Sequence, residues 1–445
     1  MIRDFMRQFI LAAKDEGIDK LNFYMEERLS RDISVFEGKL EYMERCKTSQ
    51  LFAEGLVNGR AGCVFAENFD VSLIPDYLQA IRDTAEVCGK DFVPYDLEGL
   101  QHTPFMDYNF TDLDSTVEAM CRATRTAMAV DHRIDAGIQV HVKESGHRFT
   151  LANEKGQYAT DVILGGRAGI HLVARDGDLV QPGGKGKPFN TQTLPDLDEL
   201  ARQAAEGAVS RLGASSCATG NYAVVLDARV TAELLDAFMP AFFARNVHSR
   251  MSVLAGRLGQ QLTGENISIL EDPFMEGGFC TRNFDDEGVA TQAKAIVDKG
   301  RLNCFLHNRN SAGEEGIPSG GNGFKTNFNE AVSTGYTNVY IPQGDYSRDE
   351  LLKMMGDGLL ITGVSGVFAG AKPNSGDFSL ISSGYLVEDG KICRAVNQIT
   401  IAGNFFEMLK QVNGIGNDEY WMIATNGNVR TPSLFVQSLA VSGKE

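Results

Sequence analysis

The chain has 445 residues, with 42 Lys and Arg against 59 Asp and Glu, and a formal net charge of -17. That balance disfavours attraction to phosphate backbones, so nucleic acid is not an expected partner. Its 43% hydrophobic and 23% charged residues are those of a folded chain, and the length suggests about three modules of about 150 residues.

Residues 2–14 place Ile2, Phe5, Met6, Phe9 and Ile10 on one side of a helix that Gly17 ends. Arg3, Asp4 and Arg7 interrupt what a signal peptide would need as a continuous apolar core. No later stretch has the ~18 apolar residues of a membrane span. Eight cysteines without close pairing fit buried thiols in a reducing compartment, so a cytoplasmic location away from membranes is expected.

Residues 21–67 turn to period two, in runs such as Leu21 to Met25, Asp32 to Phe36 and Gln50 to Glu54, with Asn58-Gly59 as a hairpin signal. A helix is predicted from about Ile74 to Cys88. The order then repeats: a helix from Asp112 to about Val130, then a strand group starting at Ala136. Asn58-Gly-Arg-Ala-Gly62 is echoed by Gly166-Arg-Ala-Gly169, each read as opening a strand. The expectation is an internal duplication with units at 1–95 and 111–215.

Asp178 to Thr193, crowded with Gly and Pro around Pro182-Gly-Gly-Lys-Gly-Lys-Pro188, is read as a loop or boundary. A helix from about Leu197 to Leu212 and a strand at Tyr222 to Leu226 follow. Val230 to about Leu258 is read as a long helix interrupted near Pro240. Between 311 and 390 there are 15 glycines, a density that suits short strands and tight turns. The predicted fold class is therefore mixed α/β (α+β). An N-terminal domain of helices and antiparallel sheet occupies 1–220, and a β-rich domain occupies 221–445.

The chemistry-bearing motifs are sparse. The seven histidines, at 102, 132, 141, 147, 171, 248 and 307, form neither HExxH nor HExxxH, the helical spacings that put two zinc ligands on one face. His141 and His147 flank a predicted turn and could meet across a hairpin. There is no CxxC. Gly363-Val-Ser-Gly366 is one residue too tight for a nucleophile elbow, and Gly183-Gly-Lys-Gly-Lys187 lacks the ending of a phosphate-binding loop. Glu271-Asp272 and Asp285-Asp286-Glu287 could offer oxygen ligands to a hard cation, or simply face water. Pro318-Ser-Gly-Gly-Asn-Gly323 exposes many backbone N–H groups, suited to holding a peptide carbonyl or reversing the chain.

Ser252 to Gly259, Glu271-Asp-Pro273, Phe284 to Gly288, Asn338 to Gly344, Leu359 to Gly366, Ser375 to Gly390, Ile401 to Asn404, Ile415 to Asp418 and Pro432 to Val436 together resemble the TldD/PmbA family, and within it the TldE (PmbA) branch. The resemblance implies a cytoplasmic dimer involved in proteolysis of peptides or unfolded polypeptides. In that family the TldD subunit holds zinc with HExxxH and a C-terminal Cys, and the TldE subunit lacks both. Here Pro240-Ala-Phe-Phe-Ala-Arg245 falls in the motif region, and Glu419 to Gly427 contains no Cys. Ala and Phe cannot coordinate zinc and should pack the helix against the sheet instead.

The resemblance thus implies no catalytic residue, no metal and no cofactor in this chain. Its partners would be a second copy of itself, a zinc-bearing TldD-like subunit, or both, together with peptide. A stand-alone homodimeric binder and an enzyme of unrecognised chemistry remain as alternatives. Asn322, Asp377, Asn404 and Asn417, with Asp285 and Asp286 behind them, are the residues expected to line a cavity, the alternative being that they cap turns.

Overall fold

The computed structural model describes residues 2–67, 69–88, 91–101, 103, 108–134, 136–190, 193–328, 330–424 and 426–444. His102 lies outside them, as do residues 191 and 192 of the expected loop.

The N-terminal region runs α1 (Ile2–Asp15), β1 (Leu21–Phe36), β2 (Lys39–Val57), β3 (Arg60–Glu67), α2 (Ile74–Cys88), α3 (Leu113–Val130), β4 (Gln139–Asn153), β5 (Tyr158–Asp176), β6 (Leu179–Phe189) and α4 (Leu197–Val209). Its strands form one antiparallel sheet in the order β3-β2-β1-β4-β5-β6. Asn58 and Gly59, both at positive φ, make the β2–β3 turn. Asp112 and Asp196 cap α3 and α4 by accepting from Ser115 N and Glu199 N. Odd-numbered β1 residues, among them Phe23, Met25, Ile33 and Val35, pack under the helices. The opposite face carries Tyr24.

The two units of this sheet are related by a pseudo-two-fold axis at the Leu29–Gly146 pair. On either side of it lie two matching cross-strand pairs, Arg31 with Glu144 and Arg148 with Glu27. Gly62 of β3 lies under α2, where a Cβ would come within 1.8 Å of the Ile81 carbonyl oxygen. Gly183 of β6 lies under α4, where it would come within 2.6 Å of the Ala204 carbonyl oxygen. A helix can approach a strand this closely only over glycine.

Three expectations need correction. Gly166-Arg-Ala-Gly169 does not open a strand but lies in the middle of β5, whereas Asn58 and Gly59 form the β2–β3 turn, so the two segments occupy different places in the sheet. Asp178 to Thr193 is no loop over most of its length: Leu179–Phe189 is β6. Gly183 admits α4, and the prolines are tolerated because β6 is the sheet edge, where a missing N–H breaks no ladder. The long helix ends early: α5 (Ala228–Phe238) gives way at Pro240 to a 3-10 turn (Met239–Phe242), then α6 (Ala244–His248). Arg250, Gly256 and Gly259 all take positive φ, which no helix continues through.

The C-terminal region opens with β7 (Gly220–Leu226), followed by α5 and α6. It continues with β8 (Ile269–Glu271), β9 (Lys294–Asp298), β10 (Arg301–Leu302), α7 (Arg309–Glu315), β11 (Gly323–Phe324), β12 (Ser333–Thr334), β13 (Asn338–Tyr340) and α8 (Arg348–Met355). The last elements are β14 (Gly358–Ser365), α9 (Val367–Gly370), β15 (Ala371–Lys372), β16 (Asp377–Glu388), β17 (Lys391–Asn404), α10 (Phe405–Lys410), β18 (Val412–Ile415), β19 (Tyr420–Ile423), β20 (Asn428–Thr431) and β21 (Leu434–Ser442). Among the described residues one sheet runs β14-β7-β21-β17-β16-β15 with β18 on β21, and another runs β10-β9-β8-β13-β20-β19. This is the expected β-rich domain. Phe238, Phe242, Phe405 and Phe406 form its aromatic centre, with Phe238 and Phe405 stacked at 4.6 Å.

Candidate functional site

The C-terminal region docks on the helix-free face of the N-terminal sheet, and its contacts include the end that carries Tyr24 and Phe149. There Arg282, buried, reaches across to place its guanidinium 4.4 Å from the Phe149 ring centroid and 5.4 Å from that of Phe324. Its Nη2 donates to Asp286 at 2.7 Å, and its Nε stands 3.8 Å from Asp161 Oδ2. Asp161 in turn accepts from Asn283 N and Nδ2, each at 2.6 Å, and from Thr103 Oγ1 at 2.8 Å. Two carboxylates around one guanidinium, with every bond made between the two regions or beside their seam, make this junction costly to open.

A cleft of about 300 Å³ lies along the seam. Its walls are mostly apolar: Phe149 and Ile163 from the N-terminal sheet, Phe279 from a C-terminal loop, Phe324 from β11 and Ile423 from β19. Cys280, Arg282, Asp286, Lys325 and Tyr336 are among its polar groups, with His147 beside them. A second opening of about 690 Å³, lined by Tyr24, Glu26, Gln50 and Phe65, shares His147, Phe149, Lys325 and Thr326 with the first, so the two form one groove.

Cys280 and Lys325 are the groove's candidate nucleophiles. Burial pushes the Cys280 thiol up to about 11, so it carries no thiolate at neutral pH. Burial also lowers the Lys325 pKa, but its Nζ sits 4.3 Å from the Phe52 centroid and donates to the carbonyls of Phe328 and Glu330. The Tyr336 hydroxyl, on the cleft wall, donates at 2.5 Å to Asp236 of α5, whose pKa burial raises.

Three of the expected cavity residues come together behind the cleft. Asn322 is buried and donates from Nδ2 to both Glu271 oxygens at 3.0 Å and to the Gly335 carbonyl, while its Oδ1 has no partner. Asp285 accepts from the backbone of Glu287, Val289 and Gly323; burial raises its pKa to about 7. Asp286 accepts from Arg282 and Lys325 N and is the one of the six that lines the cleft. Asp377 and Asn404 pair with each other at 3.0 Å at the end of the β16–β17 hairpin, where Asn404 also caps α10. Asn417 is exposed; its backbone bonds Tyr346 and Gln343.

The acidic runs are thus filled with protein donors: Glu271 also accepts from Thr337 N and Lys294 Nζ. Among the described residues no three His, Cys, Asp or Glu side chains are arranged to hold a metal ion. His141 and His147 do not flank a turn but share β4; His141 instead stacks on His171 at 5.2 Å. Ala241 and Phe242 are fully buried in the core, as their apolar character predicts. Glu419 to Gly427 reaches the cleft, contributing Ile423, Ala424, Asn426 and Gly427 to its wall.

The sequence offers no reading of Phe149, Asp161, Cys280, Arg282, Lys325 or Tyr336 as site residues, and it suggests His147 only as a partner for His141. The one available signal was Arg282, a lone base between two acidic runs.

Residues 219–443 match the family profile described as the PmbA/TldA metallopeptidase C-terminal domain, and 110–212 match its central domain. The chain is 29% identical to the metalloprotease PmbA of Escherichia coli O157:H7, over 93% of this chain and 90% of that one. It is 30% identical to a metalloprotease of Methanothermobacter thermautotrophicus, over 56% of this chain and 55% of that one, so that match spans only about half of either protein. Among solved structures, a candidate DNA gyrase modulator from Thermotoga maritima superposes with a TM-score of 0.87 at 27% identity, covering 99% of this chain and 100% of that one. TldE from Thermococcus kodakarensis superposes at 0.86 with 19% identity, over 99% and 100%, a likeness of fold.

Proposed function

Because the chain belongs to the PmbA/TldD metallopeptidase family, we propose that it is the zinc-free, TldE-like subunit of a two-component peptidase. On this reading it supports or regulates cleavage of peptides or unfolded polypeptides by a zinc-bearing, TldD-like partner in the cytoplasm. The observation that carries the reading is the seam groove: an apolar, aromatic-walled trough in which Arg282 bonds Asp286, Tyr336 bonds Asp236 and Lys325 bonds backbone carbonyls. Such a trough fits an extended chain with apolar side chains and offers it little chemistry. The outer edge of β2 from Lys39 to Ser49 pairs with no strand among the described residues and is largely exposed, which leaves it available to a second subunit. No helix in the described residues is long and apolar enough to cross a membrane.

The test is reconstitution. The purified chain alone should leave a fluorescently labelled unfolded protein intact, and addition of a relative carrying HExxxH should start cleavage and recover both chains in one complex. Chelator-sensitive cleavage by the lone chain would overturn the reading. Saturable peptide binding by the lone chain, with no complex and no effect on the relative's activity, would favour the homodimeric binder instead.

A further inference from the structure

His248, the last residue of α6, stands at the C-terminal end of α7 with each ring nitrogen on a different carboxylate. Nδ1 is 2.7 Å from Glu314 Oε2, and Nε2 is 2.5 Å from Glu315 Oε1. A neutral imidazole donates from one nitrogen only, so both contacts are hydrogen bonds only when the ring is protonated. Two helices end here, and a helix C-terminus favours a cation. Glu314 and Glu315 supply the wrong sign for the end of α7, and a charged His248 corrects it.

Behind His248, at a ring separation of 6.3 Å, lies His307, buried with Nδ1 unpartnered. Burial lowers its pKa, with the Glu315 carboxylate opposing that shift. The remaining charge on α6 is Arg245, one turn earlier.

The chain beyond α7 leads directly to the groove. Ile317 N donates to Ala312 O, Ser319 Oγ to His307 O, Gly323 N to Asp285, and Lys325 N to Asp286, after which Phe324 and Lys325 form the cleft wall. At the other end of α7, Arg309 N donates to Glu287.

We propose that His248 is a proton-operated clasp between α6 and α7 that fixes the segment carrying the cleft wall, making the groove tighter at lower pH. The hydrogen bond to Glu315, and after the opposing effect of burial that to Glu314, raises the ring's pKa above the usual histidine value. The sign follows from linkage: a raised folded pKa means the clasp is complete below the unfolded value of ~6.5 and is lost as pH rises through the higher folded one.

The experiment uses the full chain alone and so is independent of the peptidase reading. The His248 imidazole is titrated by NMR, and hydrogen-exchange protection factors for residues 309–325 are compared at about pH 6 and about pH 9, on either side of the range where histidine titrates. Wild type should titrate above ~6.5 and lose protection by about fivefold on going to the higher pH, the scale of a surface ion pair. His248→Gln should show the low protection at both. Glu314→Gln with Glu315→Gln should return the titration towards the ordinary value while circular dichroism reports an intact fold. Titration of His248 at or below ~6.5, or a His248→Gln chain that keeps the wild-type pH dependence, would overturn the proposal.

Discussion

The two ends of the N-terminal sheet are built alike and used differently. Asp161 on β5 lies opposite Phe149, and its pseudo-symmetric counterpart, Glu44 on β2, lies opposite Asp32. Asp161 is buried against Arg282 and Asn283, whereas Glu44 is exposed. Phe36, Leu40, Tyr42 and Met43 near Glu44 are each more than two-fifths exposed. The same strand architecture therefore gives a domain seam at one end, where Phe149 and Asp161 meet the C-terminal region, and an exposed surface at the other, where Asp32 and Glu44 stand in their places.

Breaking the covered end should have the largest effect. Asp161→Ala leaves Arg282 short of a partner and Asn283 N without an acceptor, so urea unfolding should show a loss of about 3–5 kcal/mol. A loss under about 1 kcal/mol would mean the seam is held by its aromatic contacts alone. The helix contacts sharpen the symmetry next. Gly62→Ala and Gly183→Ala should each destabilise by about 1–3 kcal/mol through overpacking, with Gly62→Ala the worse because its Cβ meets the Ile81 carbonyl more closely. Thermal melts would show the order. The smallest effect belongs to the open end, where Glu44→Ala should stay within about 0.5 kcal/mol of wild type.

Helix positions were the most legible features. The 3.6 period of residues 2–14 and the helices begun at Ile74, after Asp112 and near Leu197 lie where apolar spacing and caps put them. β6 was not legible, because Gly and Pro mark loops in local reasoning, whereas here a helix above and an empty edge beside the strand reverse their meaning. The site was half legible. Asp285, Asp286 and Asn322 are expected as lining residues and lie in one region, but they bond to backbone, to Arg282 and to Glu271, and of the three only Asp286 reaches the cleft. Asp377, Asn404 and Asn417 share its polar character and sit elsewhere, since an Asn or Asp next to Gly is as useful for a turn as for a cavity.

By itself the sequence determined the class of the fold, the family and the lack of an HExxxH pair, because period, composition and motif are properties of neighbours along the chain. Only the tertiary structure placed α2 over Gly62 and α4 over Gly183. It alone brought Phe149, Arg282 and Ile423 to one groove. Burial of one cation between two carboxylates and two aromatic rings depends on residues more than a hundred positions apart, and no local pattern encodes such a meeting.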